Sequence, residues 1–357
     1  MNKMVRKVFL AVITLLLAVT TFTGVTFAWL SINSDAWVEG MQIEATSGKG
    51  FLVSVDGYNY TSSIDQDQII KAILIKYRKS YSLNEQGELL NENNKVISKN
   101  NYQKLFKEIG FEPCTSYGTE GIELTNLYGT KIDVSKGEYI EFDIYFKSTG
   151  DVKEDMPIYL NGAHKTLTQD TASYYINPTK LTSAIDEIKL QCGLITYDKE
   201  TGEAIQKQED EILKVRSSNA LRLGIQNESG VASIIELTDQ YDLGSYATNI
   251  KDYIDSDDFY HSEDIVYDAA YDAYKNAMFT YTSQVTSELE PLDYKKIPKT
   301  IKSLINSEGL NTVKILTLTR EQQTQKATFR IWLEGWDADC IDGLKQSITV
   351  QLSFVQQ

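Results

Sequence analysis

The chain is poor in the residues from which catalytic and metal centres are built. It has two histidines in 357 residues. His164 and His261 lie in unrelated stretches with no partner four residues on, so the HExxH spacing that sets two imidazoles on one helix face for zinc is absent. No GxSxG elbow, P-loop or dinucleotide glycine fingerprint occurs. The three cysteines, Cys114, Cys192 and Cys340, are odd in number, far apart and form no CxxC pair. They leave two readings open: one disulfide with a thiol left over, or three small buried hydrophobes. Positive charge is scarce as well, with 35 Lys and Arg against 50 Asp and Glu and a formal net charge of -15. No basic block interrupts this acidity, and a polyanion is repelled by nucleic acid and anionic lipid, which excludes a nucleic-acid partner. Carboxylates are abundant, but charged residues are mostly solvated surface, and abundance is no catalytic pair. An enzyme is not expected, nor an obligatory cofactor.

The first residues have a layout of their own. Lys3, Arg6 and Lys7 precede an uncharged apolar run over 8–30, with Thr26 and Ala28 as small residues before a cut, the three-part pattern of a secretory signal peptide. Cleavage after Ala28 is expected, giving a leader of residues 1–28 and a mature chain of 29–357. Its removal takes away three positive charges and no negative one, moving the formal charge from -15 to -18. An uncleaved anchor is the other reading, since about 20 apolar residues span a bilayer, although Thr14, Thr20, Thr21, Thr23 and Gly24 weaken the run.

What the chain has is apolar residues at every second position. In KATFRIWLEGWDADCIDGLKQSITVQLSFVQQ, residues 326–357, Phe329, Ile331 and Leu333 share a face, as do Ile348, Val350, Leu352 and Phe354 beyond an acidic turn. Period two marks half-buried antiparallel strands, and a chain closing on such a strand suits a β-sandwich whose first and last strands pair or lie close. GEYIEFDIYFKSTGDVKEDMPIYLNG, residues 137–162, has Ile140, Phe142, Ile144 and Phe146 on one face and Tyr139, Glu141, Asp143, Tyr145 and Lys147 on the other. EFDIYFKS matches TFRIWLEG in rhythm, and both blocks read as similar hairpins in two sheets. Met41, Ile43 and Ala45, then Phe51, Val53 and Val55 after a Gly-rich turn, read as the first two strands.

Residues 188–197, 219–226, 231–237 and 311–319 are further strand candidates. Two insertions are expected in this single domain. Residues 65–117 read as polar and irregular around 69–77, with an exposed hairpin or loop at 84–95 and a short helix over 102–109. Residues 239–298 read as a helical insertion, with Ser262 as N-cap and Glu263 and Asp264 in the first turn. The fold class is mostly β, a sandwich with a helical insertion.

Two places carry candidate function. In EGWDADCIDG, Asp337, Asp339 and Asp342 followed by Gly343 approximate a calcium loop, one residue too long at the third ligand and without the downstream glutamate. Either a bound Ca2+ or Asx hydrogen bonds to backbone amides would hold such a turn. Trp332 and Trp336 beside it serve core and rim packing or form a platform for sugar. The second place is the segment carrying Trp29, Leu30, Ile32, Trp37 and Val38, an apolar ribbon freed by cleavage. It can add to the sheet edge of a neighbouring molecule or pair within its own sandwich.

TFAWLSI at the cut, VEGMQIEA after it, GEYIEFDIYFKSTGDVKEDMPIYL and the closing SITVQLSF together resemble the TasA and camelysin family, exported Gram-positive surface proteins processed by a SipW-type signal peptidase. The resemblance covers under a third of the chain. It implies a jelly-roll-like antiparallel β-sandwich, secreted to the cell surface, that assembles with itself into biofilm-matrix fibres by handing the N-terminal strand to the next subunit. Matrix proteins and cell-wall glycans are the further partners it implies. Camelysins are described as metalloproteases, but zinc ligands are missing here and protease activity is not expected. The alternative function is a carbohydrate-binding or adhesive surface module using Trp332, Trp336 and the acidic turn.

Overall fold

Alternation decides the architecture. Ile140, Phe142, Ile144 and Phe146 are at most 1% exposed, while the residues between them stay partly open to solvent, so the strand buries one face and wets the other. The computed structural model describes residues 37–45, 50–78, 80–109, 113–117, 122–126, 131–162, 179–183, 186–189, 194–197, 204–207, 211–235, 300–301, 312–334 and 347–356. The sandwich strands in chain order are β1 (Trp37–Ala45), β2 (Phe51–Ser54), β3 (Ser63–Ile64), β4 (Pro113–Tyr117), β5 (Glu123–Asn126), β6 (Ile140–Ser148), β7 (Met156–Leu160), β8 (Lys180–Ser183), β9 (Leu221–Asn227), β10 (Ala232–Ile235), β11 (Thr300–Ile301), β12 (Lys314–Leu318), β13 (Thr324–Glu334) and β14 (Ser347–Gln356).

They form two sheets, mostly antiparallel. The six-stranded one runs β12-β7-β14-β1-β3, with β8 also on β14. The eight-stranded one runs β11-β10-β9-β13-β4-β5, with β6 on β13 and β2 on β6. Phe142 and Phe329 stack at 5.7 Å between ring centroids, Phe146 meets Phe354 edge-on at 5.1 Å, and Phe329 meets Phe354 at 5.6 Å. These rings come from both sheets and form the centre of the core.

The two similar sequence blocks are not hairpins. β6 lies in the larger sheet and β7 in the smaller, and β13 and β14 divide in the same way. The connection from β6 to β7, residues 149–155, is an arch across the sandwich, crossing the ~10 Å between packed sheets. β6 pairs with β13, from Thr324↔Lys147 to Ile331↔Ile140, and β7 pairs with β14.

β7 and β8 share one edge of β14, and a buried polar knot fills the step between them. Asn161 N donates to Ser353 O at 2.8 Å, and Asn161 Nδ2 to Ser353 Oγ at 3.0 Å. Thr179 Oγ1 accepts from Ser353 N at 3.0 Å and donates to Ser353 O at 3.1 Å. The knot serves backbone groups that neither flanking strand reaches.

Where the sequence reads as irregular, the structure has a helix, α1 (Gln66–Tyr77). Its start is a capping box: Asp65 Oδ1 accepts from Gln68 N at 2.8 Å, and Gln68 Oε1 accepts from Asp65 N at 3.1 Å. Ile69, Ile70, Ile73 and Leu74 are 0% exposed and belong to the main core. The helix packs against β6 of one sheet and β1 of the other, so residues 65–117 help to build the sandwich and are not merely inserted into it. A second, short helix, α2 (Tyr102–Phe106), falls where one was expected. The helical insertion expected over 239–298 lies outside the described residues.

Substituting Asp65→Ala removes one half of the capping box. A loss of about 1 kcal/mol is expected, read as a lower urea midpoint with an unchanged slope.

Candidate functional site: the N-terminal strand and the sheet edges

The first strand lies alongside the last. β1 and β14 run parallel, with Trp37 opposite Ser347 and Val38 opposite Ile348. The register then shifts, Gly40 facing Thr349, so Glu39 is the extra residue of a bulge. Beyond it Met41, Ile43 and Ala45 stand opposite Val350, Leu352 and Phe354, whose side chains are 0% exposed. The alternation of the two strands therefore agrees with a core-facing register. A slip of one residue would reverse it.

On its far side β1 pairs only at Ile43 and Glu44, with Ile64 and Ser63 of β3. Among the described residues the far edge of Trp37–Gln42 has no strand partner. The strand is thus held firmly along one edge and hardly at all along the other. The chain then passes to β2 in the opposite sheet through residues 46–49.

The opposite border of this sheet, β12, is treated differently. Pro157, which has no N–H, stands opposite Thr317, and the Thr317 carbonyl accepts from the Gln325 side-chain amide instead. Asn227 Nδ2 donates to Ile315 O at 2.9 Å. Two amides from the larger sheet thus bond carbonyls of β12.

Electrostatics tie α1 to the outer face of the larger sheet. Lys76 Nζ lies 2.9 Å from Glu141 Oε1 and 3.1 Å from Asp143 Oδ2. Arg330 Nε is 2.7 Å from Glu141 Oε2, Lys326 Nζ is 3.7 Å from Asp143 Oδ2, and Thr328 Oγ1 donates to Asp143 Oδ1 at 2.7 Å. Burial pushes the Lys76 amine down, but the charges and hydrogen bonds of Glu141 and Asp143 outweigh it and hold its pKa above the ordinary lysine value. Each carboxylate has two cations beside it, Lys76 and Arg330 for Glu141, Lys76 and Lys326 for Asp143. Together they form a strap from helix to sheet, and α1 also packs on β1.

Of the assembly residues expected from sequence, Trp37 and Val38 begin β1, whereas Trp29, Leu30 and Ile32 lie outside the described residues. So do Trp336, Asp337, Asp339 and Asp342 of the acidic turn, together with Cys192, Cys340 and both histidines. Trp332 is 0% exposed, and its Nε1 donates to the buried Glu334 Oε2 at 3.2 Å. It sits in a second apolar cluster with Cys114, Ile122, Leu124, Ile132, Tyr139 and Ile234. Its ring has no face for a sugar, and of the two roles weighed for it packing is the one that its burial supports. Among the described residues no group of three or more His, Cys, Asp or Glu could hold a metal ion. The strap around Lys76 was missed from sequence because α1 was missed. The Asp65-x-x-Gln68 spacing was the signal that could have found it.

Fold and edge together define a mostly-β sandwich closed by pairing its first strand with its last. No protein-family model, no curated protein and no solved structure matches the chain.

Two predictions follow from these edges and charges. Asn227→Ala combined with Gln325→Ala leaves the Ile315 and Thr317 carbonyls without their side-chain donors, and a loss of about 0.5–1.5 kcal/mol per bond is expected, read as a lower urea midpoint. Lys76→Met leaves Glu141 and Asp143 short of a cation, at an expected cost of about 1–3 kcal/mol at pH 7. Because the folded pKa of Lys76 is raised, its contribution is complete below the unfolded value of about 10.5 and fades as pH rises through the folded one. The stability gap between variant and wild type should therefore narrow in urea titrations at pH 11.

Proposed function

We propose that this chain is an exported structural protein of a cell surface or biofilm matrix, assembling with copies of itself by exchange of its N-terminal strand. The carrying observation is the β1 to β14 pairing: the first described strand, parallel to the last described one, bonded along one edge and, among the described residues, paired along the other only at Ile43 and Glu44. Handing such a strand to a neighbour replaces each main-chain bond with an identical one. The free-energy difference between tucked-in and donated forms is then small, and protein concentration sets the outcome. In this reading a SipW-type signal peptidase cuts after Ala28, and Trp29, Leu30 and Ile32 extend the donated ribbon. The jelly-roll winding and the place beside TasA and camelysins belong to the same reading, supported by the sequence blocks quoted above and by the mostly-β fold.

The test uses the mature chain and a variant lacking residues 29–45. Filaments are expected by electron microscopy from the mature chain alone, while the variant stays unassembled and captures a synthetic 29–45 peptide with one-to-one stoichiometry. Filaments formed equally well by the variant overturn strand exchange. An intact mass showing that the native protein keeps residues 1–28 overturns the export step.

A further inference from the structure

One short loop is built with more care than its burial explains. Between Val53 and Thr61, whose backbones exchange hydrogen bonds of 2.9 Å in both directions, the chain makes a tight excursion around the carboxylate of Asp56. Asp56 Oδ1 accepts from Ser54 Oγ at 2.7 Å and from the backbone N–H groups of Tyr58 and Asn59, each at 2.8 Å. Oδ2 accepts from Asn59 Nδ2 at 2.7 Å, and Ser54 Oγ accepts from Gly57 N at 3.0 Å. Gly57 has φ +76°, and a Cβ there would stand 3.3 Å from the Tyr145 ring, so the loop rests directly on an aromatic floor. Burial pushes the Asp56 carboxyl up, but the hydrogen bonds from Ser54, Asn59 and Tyr58 outweigh it and hold the pKa at about 2.

This rigid frame buries little. Tyr58 at its tip is 87% exposed, the most exposed of the large hydrophobic side chains described. An ordered loop that holds an aromatic ring out in water has its conformational cost met before any encounter, which is what preorganised recognition loops do. Around the ring the chemistry is uniform. Residues 57–64 read GYNYTSSI and contain no charged residue, in a chain that is 24% charged overall. Asn59, Thr61, Ser62 and Ser63 are exposed along the same loop; the Thr61 hydroxyl donates to Ser63 O and so offers a partner its lone pairs, while the Ser62 and Ser63 hydroxyls and the Asn59 amide oxygen add to the polar rim. The Lys147 ammonium lies over the Tyr60 ring, 5.2 Å from its centroid.

We propose that this loop is a binding site for a neutral polysaccharide, with Tyr58 as the stacking face for a pyranose ring and Asn59, Thr61, Ser62 and Ser63 as hydrogen-bonding partners for its hydroxyls. A sugar ring has one apolar C–H face and a rim of hydroxyls, and the loop offers a matching apolar face and polar rim. A polyanionic glycan is disfavoured by the net charge of -15, and a protein partner would need a far broader apolar surface than one ring, since stable interfaces bury roughly 800 Å² per side. Ser63 of β3 pairs with Glu44 of β1, whereas Tyr58, Asn59, Thr61 and Ser62 precede β3, and polymer retardation is read separately from filament formation, so the failure of this site and the failure of strand exchange are separate results.

Affinity electrophoresis of the mature chain through gels containing hydroxyethyl cellulose, dextran, galactomannan or, as the anionic control, alginate tests it. Retardation by at least one neutral polymer is expected, weakened about tenfold or more by Tyr58→Ala and retained by Tyr58→Phe, with the melting temperature unchanged in both because the ring is exposed. Asp56→Ala, which leaves every proposed contact residue in place, should weaken binding by loosening the frame. The proposal is overturned if no neutral polymer retards the protein, if alginate alone does, or if Tyr58→Ala binds as wild type. It is equally overturned if Tyr58→Ala changes self-association and not polymer retardation, which would make the loop a protein contact.

Discussion

The pairing of β1 with β14 joins strands from opposite ends of the described chain, and through β1 it brings β3 into the same sheet. Some three hundred residues separate the partners, so closing the pair meets a large loop-closure entropy, and the contact has a high sequence separation of the kind that slows folding. Four strands of the smaller sheet are joined without β1: β12 lies on β7, and β14 is held by β7 and β8 on its other edge, with Ser353, Asn161 and Thr179 knotted between them. β1, which brings β3 with it, is thus an addition to those four. Physical separability of this kind is what a donated strand requires, and it follows from topology rather than from any special residue.

The core has an approximate internal symmetry that explains why two stretches of sequence look alike. β6 and β7, and likewise β13 and β14, are divided between the sheets so that the first strands of each block pair with each other and so do the second. Phe142 stacks on Phe329 within the larger sheet, and Phe146 and Phe354 meet across the sandwich. Division between the sheets, in place of hairpins, lets every strand of both blocks turn its apolar face to one shared core.

How much of this was legible depended on whether a signal was local. The alternation of Ile140, Phe142, Ile144 and Phe146, or of Val350, Leu352 and Phe354, is a property of a single strand and was readable in full. Sheet membership was not, because a hairpin and an arch have the same alternation and differ only in where the second strand finds its partner. The helix Gln66–Tyr77 was hidden by its own composition, since Ile69, Ile70, Ile73 and Ile75 suggest strand by propensity and the capping pair Asp65 and Gln68 was not weighed against them. Of the assembly segment, the pairing of Trp37 and Val38 with β14 agrees with the expectation that first and last strands lie together. The role of Trp332 turned on a second layer over the sheet that no local pattern announces.

That second layer decides which surfaces are left for partners. On the outer face of the larger sheet, Gly224 has no side chain, and a Cβ there would stand 2.8 Å from both Ile122 and Trp332, so the apolar layer lies directly on the strand. Under it Tyr139 has its hydroxyl pKa pushed up to about 12, chiefly by burial with Glu141 adding to it, and Arg222 is 1% exposed with Nη1 donating to Leu221 O at 3.0 Å. Beyond that layer the same face is occupied by the ion pairs of Glu141 and Asp143 with Lys76, Lys326 and Arg330. One half of the face is therefore sealed and the other neutralised within itself, while carbonyls of the β12 border accept from Asn227 and Gln325. The far edge of β1 and the loop carrying Tyr58 are, among the described residues, two places left open to another molecule. They lie on different strands and use different chemistry, so a subunit could be joined to its neighbour through the first while the second remains free to hold the matrix around it.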